Sequence, residues 1–420
     1  MQIIELTKED FDNFAFNHIN HNFYQTSQYG SLMNKHGFFD LYVGLLDDNH
    51  NIIGASLILV EEKTGPLKYG YAPRGFLIDY KDTDLIMNFT KLLRSYLSRL
   101  GFVCVKIDPP IIHIERDNEG NIIPGGINNE GLITFLKRCG YEHTGFNLYF
   151  ENLKPRWNAI TKLDIQSEKV FNGFSKQMRN KIRKSYRKGV TIYKGTRDDL
   201  KLFYSFISKK HTRKLNYYLD YYEIFSKKDM FELFFAKINP TVFIKTSKRL
   251  YEKELEKNNE LVELIKTSNN PNAKSNYVNK KINSDRLLAI FKKDVANATN
   301  LHRTYPNGVV IATSAVIKYN KEIFFLIDGY DPKFKSFSGN HLMKWAIINE
   351  FSKKGYLYAH HNAITGDFNK GSPYYGLFTF KKGFNSKVTE YIGEFDMIVN
   401  RQAYYTKRQL KAFKNLFNLK

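Results

Sequence analysis

Residues 309–328, VVIATSAVIKYNKEIFFLID, decide how the fold reads. Two β-branched, apolar runs, Val309–Tyr319 and Ile323–Asp328, flank Asn320, a turn former, so the stretch predicts a β-hairpin. Downstream, GNHLMKWAIINEFSK at Gly339–Lys353 spaces its apolar residues as a helix does. Gly355 stops it, and Tyr356–Ala359 predicts another strand. The same order is legible near the N-terminus. Strands Leu41–Leu46 and Ile52–Val60 flank Asp47-Asp48-Asn49-His50-Asn51, a helix covers Asp84–Arg99, and Gly101 precedes the strand Phe102–Ile107, which Asp108-Pro109-Pro110 halts. Gly54 to Gly101 and Gly308 to Gly355 both span 47 residues (101−54 and 355−308), the mark of a duplicated module. Hairpin, helix, strand is the order of an acyltransferase-type α/β lobe, although fold alone does not settle function.

Between these modules the composition changes. Thr246–Ser268 is rich in Glu and Lys around Leu250, Leu255, Leu261, Leu264 and Ile265. Asn269-Asn270-Pro271-Asn272 breaks it, and Lys274–Ala298 resumes with Ile282, Leu287, Leu288, Phe291 and Val295. This predicts an antiparallel helical hairpin with arms of roughly 35 Å, a coiled-coil arm inserted in the second lobe. The division expected is a first lobe at 1–150, joined by the tail 396–420, a second lobe at 151–245 and 300–395, and the arm at 246–299.

The chain has 420 residues, long for one domain, with 42% apolar, 25% charged and 15% aromatic residues, which excludes a disordered protein. No stretch of about 18 apolar residues occurs, and MQIIELTKEDFDNF lacks a secretory signal pattern, so a cytoplasmic protein is expected. Cys104 and Cys139 cannot build a disulfide scaffold or a cysteine zinc site, and Cys104 is expected inside its strand. Adjacent His360 and His361 on a strand face opposite ways, so no metal site is expected. Lys+Arg 64 against Asp+Glu 42 leaves +22, pointing to a polyanionic partner. The excess peaks in SKQMRNKIRKSYRK, Ser175–Lys188, where Lys176, Arg179, Lys181, Arg183, Lys184, Arg187 and Lys188 stand with no acid. Like charges one helical turn apart repel, and a phosphate backbone relieves that through counterion release. Phe171, Phe174 and Tyr186 are expected on the packed side.

These pieces together resemble the Fem (FemABX) aminoacyltransferases, FemA/FemB-like, which build peptidoglycan interpeptide bridges from aminoacyl-tRNA. The resemblance spans almost the whole chain: FYQTSQYG (Phe23–Gly30), YAPRGFLIDY (Tyr71–Tyr80), VKIDPP (Val105–Pro110), YEHTGF (Tyr141–Phe146) and RNKIRKSYRKGV (Arg179–Val190). It continues through Gly339–Tyr356, ITGDF (Ile364–Phe368) and GLFTFKKGFNSKVTEYIGEF (Gly376–Phe395). It implies an α/β (α+β) fold of two lobes resembling GCN5-type acetyltransferase (GNAT) folds. The coiled-coil arm is similar in shape to the tRNA-binding arm of seryl-tRNA synthetase. The implied reaction is attack by a stem-peptide or bridge amine of lipid II or UDP-MurNAc-peptide on the aminoacyl-tRNA ester. Aminoacyl-tRNA is then the co-substrate, and no cofactor is needed.

By the same resemblance, Lys381 stabilises the oxyanion, with Lys382 as the alternative on the other face of a strand. Asp108 either accepts the amine proton or binds the ammonium and caps its turn. Arg74 and Tyr71 line the substrate. Arg213 with Tyr217 matches a pyrophosphate-binding pair, although an alignment on Tyr221-Tyr222 puts Tyr217 in the arginine's place. Met33 stands where the family carries a phosphate-binding lysine, with Lys35 two residues on. The tail Arg401–Lys420 reads as a contact with the inner membrane face or as a helix packed on the fold. Two rival classes remain on sequence: an acyl-CoA N-acetyltransferase, which lacks its R/Q-x-x-G-x-G/A loop at Lys335–Asn340, and a non-catalytic RNA-binding protein.

Overall fold

The computed structural model describes residues 1–61, 67–209 and 211–406. Two mixed sheets organise them. The first runs in the order Gln2–Glu5, Phe38–Leu46, Ile52–Glu61, Lys68–Ala72, Phe102–Ile107, Phe395–Ile398, Tyr141–His143. The second runs Ile112–Glu115, Lys387–Tyr391, Trp157–Lys162, Tyr358–Ala363, Glu322–Tyr330, Val309–Tyr319, Phe231–Ile238, Val190–Gly195.

Each sheet holds one parallel pair among antiparallel neighbours, Lys68–Ala72 with Phe102–Ile107 and Glu322–Tyr330 with Tyr358–Ala363. A parallel pair needs a crossover, and helices Thr83–Arg99 and Gly339–Lys353 supply it. Both crossovers end in a left-handed glycine, Gly101 at φ 80° and Gly355 at φ 77°, where a side chain would be strained.

The repeated spacing is therefore real, but its first hairpin needs correcting. The counterpart of Val309–Tyr319/Glu322–Tyr330 is Ile52–Glu61/Lys68–Ala72, not the pair around Asp47–Asn51, which forms one strand earlier. Lys68–Ala72 (KYGYA) is short and carries Gly70, a residue that weakens a strand in isolation. The last strand of the second module spans Tyr358–Ala363, two residues later than predicted.

Ile112–Glu115, within 1–150, belongs to the second sheet, which corrects the expected boundary. Buried charges hold it there: Glu390 accepts from His113 Nδ1 at 2.9 Å and pairs with Arg116 and Arg156. Conversely Phe395–Ile398 lies in the first sheet, where Asp396 meets Lys106 at 2.7 Å. One apolar cluster crosses both lobes, from Phe11, Tyr29 and Leu57 to Phe235, Ile317 and Phe324, with Phe23 and Phe324 ring centroids 4.9 Å apart.

The arm is a pair of antiparallel helices, Pro240–Thr267 and Pro271–Thr304. It begins earlier and is longer than expected because Asn239 and Asn270 cap helices whose first residue is proline. Its 28 and 34 residues reach about 42 and 51 Å. The seam is more polar than predicted. Ser247, Asn258 and Ser284 are buried, with Asn258 donating to Asp285 at 2.8 Å, whereas Leu255, Leu264, Ile282 and Leu287 are exposed.

Candidate active site

The first parallel pair is joined from Lys68/Phe102 to Ala72/Ile107 and ends in two turns, Pro73-Arg74-Gly75 and Asp108-Pro109. Arg74 takes a left-handed φ of 56° that turns its N–H onto Asp108 Oδ1 at 2.6 Å. Tyr71 Oη donates to Asp108 Oδ2 at 3.1 Å, and the Arg74 guanidinium lies 3.7 Å from the same oxygen. That guanidinium also donates to the Pro155 carbonyl at 2.8 Å and stacks 4.9 Å over Tyr391. Burial pushes the Asp108 carboxyl up, and Arg74 opposes it. Both carboxylate oxygens are thus engaged, which makes Asp108 a clamp for Arg74.

The second parallel pair is joined only from Glu322/Tyr358 to Phe324/His360, and beyond that the strands part. A bulge at Ala315/Val316 and the left-handed Asn362 (φ 64°) bend them away from each other. Asn362 Nδ2 reaches the Leu326 carbonyl at 3.4 Å. A cavity of about 690 Å³ opens on this side, lined by Lys181, Asp328, Ser338–His341, His361, Phe380 and Lys381 among others. Ser338, at φ 56°, places no side chain on the amides that begin helix Gly339–Lys353, so the positive end of that helix borders the cavity uncapped.

Lys381 lies in helix Tyr375–Lys382, not on a strand as predicted, so Lys382 is turned about 100° away and pairs with Glu119. Lys381 is 7% exposed, and its Nζ donates to the Ala363 carbonyl at 2.5 Å. Burial, reinforced by Lys344, pushes its ammonium down to about 7. Lys344 Nζ meets Asp328 at 2.7 Å over the Phe325 ring, and Ser314 donates to the other Asp328 oxygen at 2.7 Å. His361, also buried, faces Thr161 Oγ1 through Nε2 at 3.0 Å, and burial pushes it far below its usual value, so it is neutral. His360 points the other way, to Glu322 at 2.9 Å. Among the described residues no three His, Cys, Asp or Glu side chains converge as a metal site requires.

Lys381 and Asp108 do not share this cavity. A smaller one, about 40 Å³, lies toward Arg74 with Asn22, Tyr24, Asn158 and Tyr391, and both are walled by Phe325, Leu326 and Asn362. Arg213 stacks 4.6 Å over Tyr217, whose ring is 5.0 Å from His36. Lys35, half-exposed, pairs with Asp220 at 2.8 Å, and Met33 is core.

The basic cluster forms helix Lys176–Arg187, with Met178, Ile182 and Ser185 buried against the crossover helix. Lys176, Arg183, Lys184 and Arg187 are exposed, Arg179 and Lys181 are half-buried, and none of the six has a carboxylate within 4.0 Å among the described residues. Lys188 departs from expectation. It is buried over Phe337 and meets Asp294 of the arm at 3.7 Å, so it anchors the arm's foot. Tyr186 departs too: 53% exposed, it follows buried Ser185 by one helical step and faces solvent. Helix Arg401–Tyr405 buries Tyr404, which donates to Asp396 at 2.9 Å. The rest of the basic tail, and so its membrane reading, lies outside the described residues.

Lys344 and Asp328 were not singled out from sequence. Lys344 was findable, as a charge among the apolar positions Met343, Ile347 and Ile348 of its helix.

A site of this kind, with a buried lysine beside a parted strand pair, suits acyl transfer to an amine. The sequence profile of the FemAB family matches residues 6–412. The chain belongs to that family, and with it to the aminoacyltransferases. It is similar to the aminoacyltransferase FemB of Staphylococcus epidermidis, 25% identical over 99% of both chains. To the aminoacyltransferase FemA of the same species it is 26% identical, over 99% of this chain and 100% of that one. The crystal structure of FemX shares the fold at a TM-score of 0.75, with 20% identity over 97% of this chain and 100% of that one.

Proposed function

We propose that this protein transfers an amino acid from aminoacyl-tRNA to a stem-peptide or bridge amine of a peptidoglycan precursor, lipid II or UDP-MurNAc-peptide. The observation that carries this reading is that one cavity takes Lys381 from one helix and Lys181 from the carboxylate-free basic helix. Phosphates held along Lys176–Arg187 and at the uncapped start of Gly339–Lys353 would bring a tRNA acceptor end, and its ester, to Lys381. The ester is already activated, so transfer requires neither ATP nor a cofactor. Lys381 in its ammonium form has two N–H directions left after Ala363, and an oxyanion developing beside it favours that charged form. Arg74, fixed by Asp108, and Arg213 with Tyr217 stand on the acceptor side.

Among the described residues no helix is long and apolar enough to cross a membrane. We place the enzyme in the cytoplasm, with the +22 chain drawn to the inner membrane face where a lipid-linked acceptor lies. The test is transfer of radiolabelled amino acid from charged tRNA to lipid II and to UDP-MurNAc-pentapeptide, each offered both bare and carrying a partial interpeptide bridge. Product on any of these acceptors supports the reading. Retention of tRNA with product on none of them, across all charged tRNAs, overturns it.

A further inference from the structure

Asp328 and Asp331 line the Lys381 cavity, and only one of them has a settled task. Asp331 caps its own turn, accepting from the Lys333 amide at 2.9 Å. Asp328 sits on Glu322–Tyr330 beyond Phe324, where that strand has parted from its parallel neighbour. Ser314 Oγ donates to one of its oxygens and Lys344 Nζ pairs with the other, both at 2.7 Å, whereas a carboxylate can accept about four donors. Lys344 is sealed behind it, with a side chain 1% exposed against 27% for Asp328. Lys344 and Asp328 are also the charged groups that face Lys381. His361 lines the same cavity. Thr161 Oγ1 donates its one hydrogen to the Phe384 carbonyl at 3.0 Å, so it accepts from His361 Nε2–H, also at 3.0 Å. That fixes the His361 tautomer and leaves Nδ1 a bare lone pair, buried and without a partner among the described residues. The side-chain oxygen of Asn340, another lining residue, is buried without a partner as well. Beside the two lysines, acceptors therefore stand with no N–H to fill them.

An aminoacyl ester carries a carbonyl oxygen and an α-amino nitrogen on neighbouring carbons. Once the carbonyl is at Lys381, the α-nitrogen must lie close by. We propose that Asp328 binds the α-amino group of the aminoacyl donor, with Lys344 fixing the carboxylate from behind, so that this chain selects donors whose α-amine is free. This rests on the donor reading above. An α-amino group titrates at about 8 and donates N–H in either form. In its charged form, Asp328 offsets the repulsion it meets from Lys344 and Lys381. His361 Nδ1 and the Asn340 oxygen are further acceptors for its remaining hydrogens. An N-acylated donor brings a single N–H and added bulk, and an acyl group with no nitrogen gives Asp328 nothing to bind. Asp328 orients the donor and takes no part in bond making.

The experiment is fluorescence-anisotropy binding, to the full chain, of an acceptor-stem RNA hairpin whose terminal adenosine carries an amine in place of the esterified hydroxyl, so that an acyl group is held as a stable amide. The hairpin is used uncharged, glycyl, acetyl and N-acetylglycyl; glycyl and acetyl differ only in the α-amine. The proteins are wild type, Asp328→Asn and Asp328→Asn/Lys344→Met. Wild type should bind the glycyl hairpin about tenfold or more tighter than the acetyl one, as a hydrogen bond to a charged group allows, and the N-acetylglycyl hairpin no better than the acetyl. Asp328→Asn should bring the glycyl-to-acetyl ratio near one, and the ratio cancels any general change in RNA affinity. A wild-type ratio near one, or a preference that survives in Asp328→Asn, overturns the proposal. Should Asp328→Asn not fold with Lys344 left unpaired, the double variant, which removes both charges, decides in its place. The uncharged hairpin reports RNA binding by itself. Loss of binding of all four hairpins overturns the tRNA reading and this inference together, whereas equal binding of the glycyl and acetyl forms overturns this inference alone.

Discussion

The two parallel strand pairs stand in the same order of elements and end in different electrostatic states. In the first lobe the strands stay joined to their ends, and the buried charges at the tip, Arg74 and Asp108, neutralise each other. In the second the strands part after three residues, and of the buried charges behind the gap only Lys344 has a carboxylate, leaving Lys381 with a carbonyl. A compensated buried charge holds a backbone in place. An uncompensated one is costly at rest and is repaid when a negative charge arrives beside it. The difference separates a scaffold from a reaction site without invoking different residue types.

The sharpest way to break this contrast is to remove the compensation. Asp108→Ala leaves Arg74 buried without its partner and should cost about 3–5 kcal/mol in denaturant unfolding. The double variant Arg74→Met/Asp108→Ala should recover part of it. Equal losses for single and double variants would show that the pair is not a clamp.

The complementary change, Lys381→Met, should reduce kcat about 10²–10³-fold, near 3–4 kcal/mol of barrier, without lowering stability. Its pH dependence sharpens the point. The folded value near 7 lies below the ordinary lysine value, so between the two the unfolded chain binds more protons and wild-type stability rises with pH. The stability advantage of Lys381→Met should therefore be largest below pH 7 and shrink as pH climbs toward the unfolded value. An advantage that stays constant means that Lys381 is not buried as a charge.

The smallest effect tests the basic helix. Neutralising Lys176, Lys184 or Arg187 should each reduce the salt dependence of tRNA binding by about one counterion. Lys188→Ala should leave that slope unchanged and loosen the arm instead. A slope that responds to Lys188 as to its neighbours would return it to the RNA-binding face.

Much of this was legible in the chain. Local patterns, such as the apolar spacing of Gly339–Lys353 and the glycines after each crossover, specify their elements because those preferences act over a few residues, whereas the Asn-Pro starts of the arm's helices were missed. Lys68–Ala72 escaped because five residues with a central glycine gain their strand character only from neighbours on both sides. Lys381 was assigned to the wrong element, and Tyr186 to the wrong side of its helix, for want of the packing that turns each one.

The amino-acid sequence by itself determined the repeated module, the arm, the cationic helix and the family, since periodicity, caps and charge runs are properties of neighbouring residues. Only the tertiary structure decided which lysines are charged for a purpose. Lys35 is paired with Asp220, Lys188 is turned inward to the arm, and Lys381 is buried without a carboxylate. Those partners come from segments far apart in the chain, and a lysine's protonation depends on the solvent and charges that the fold leaves around it.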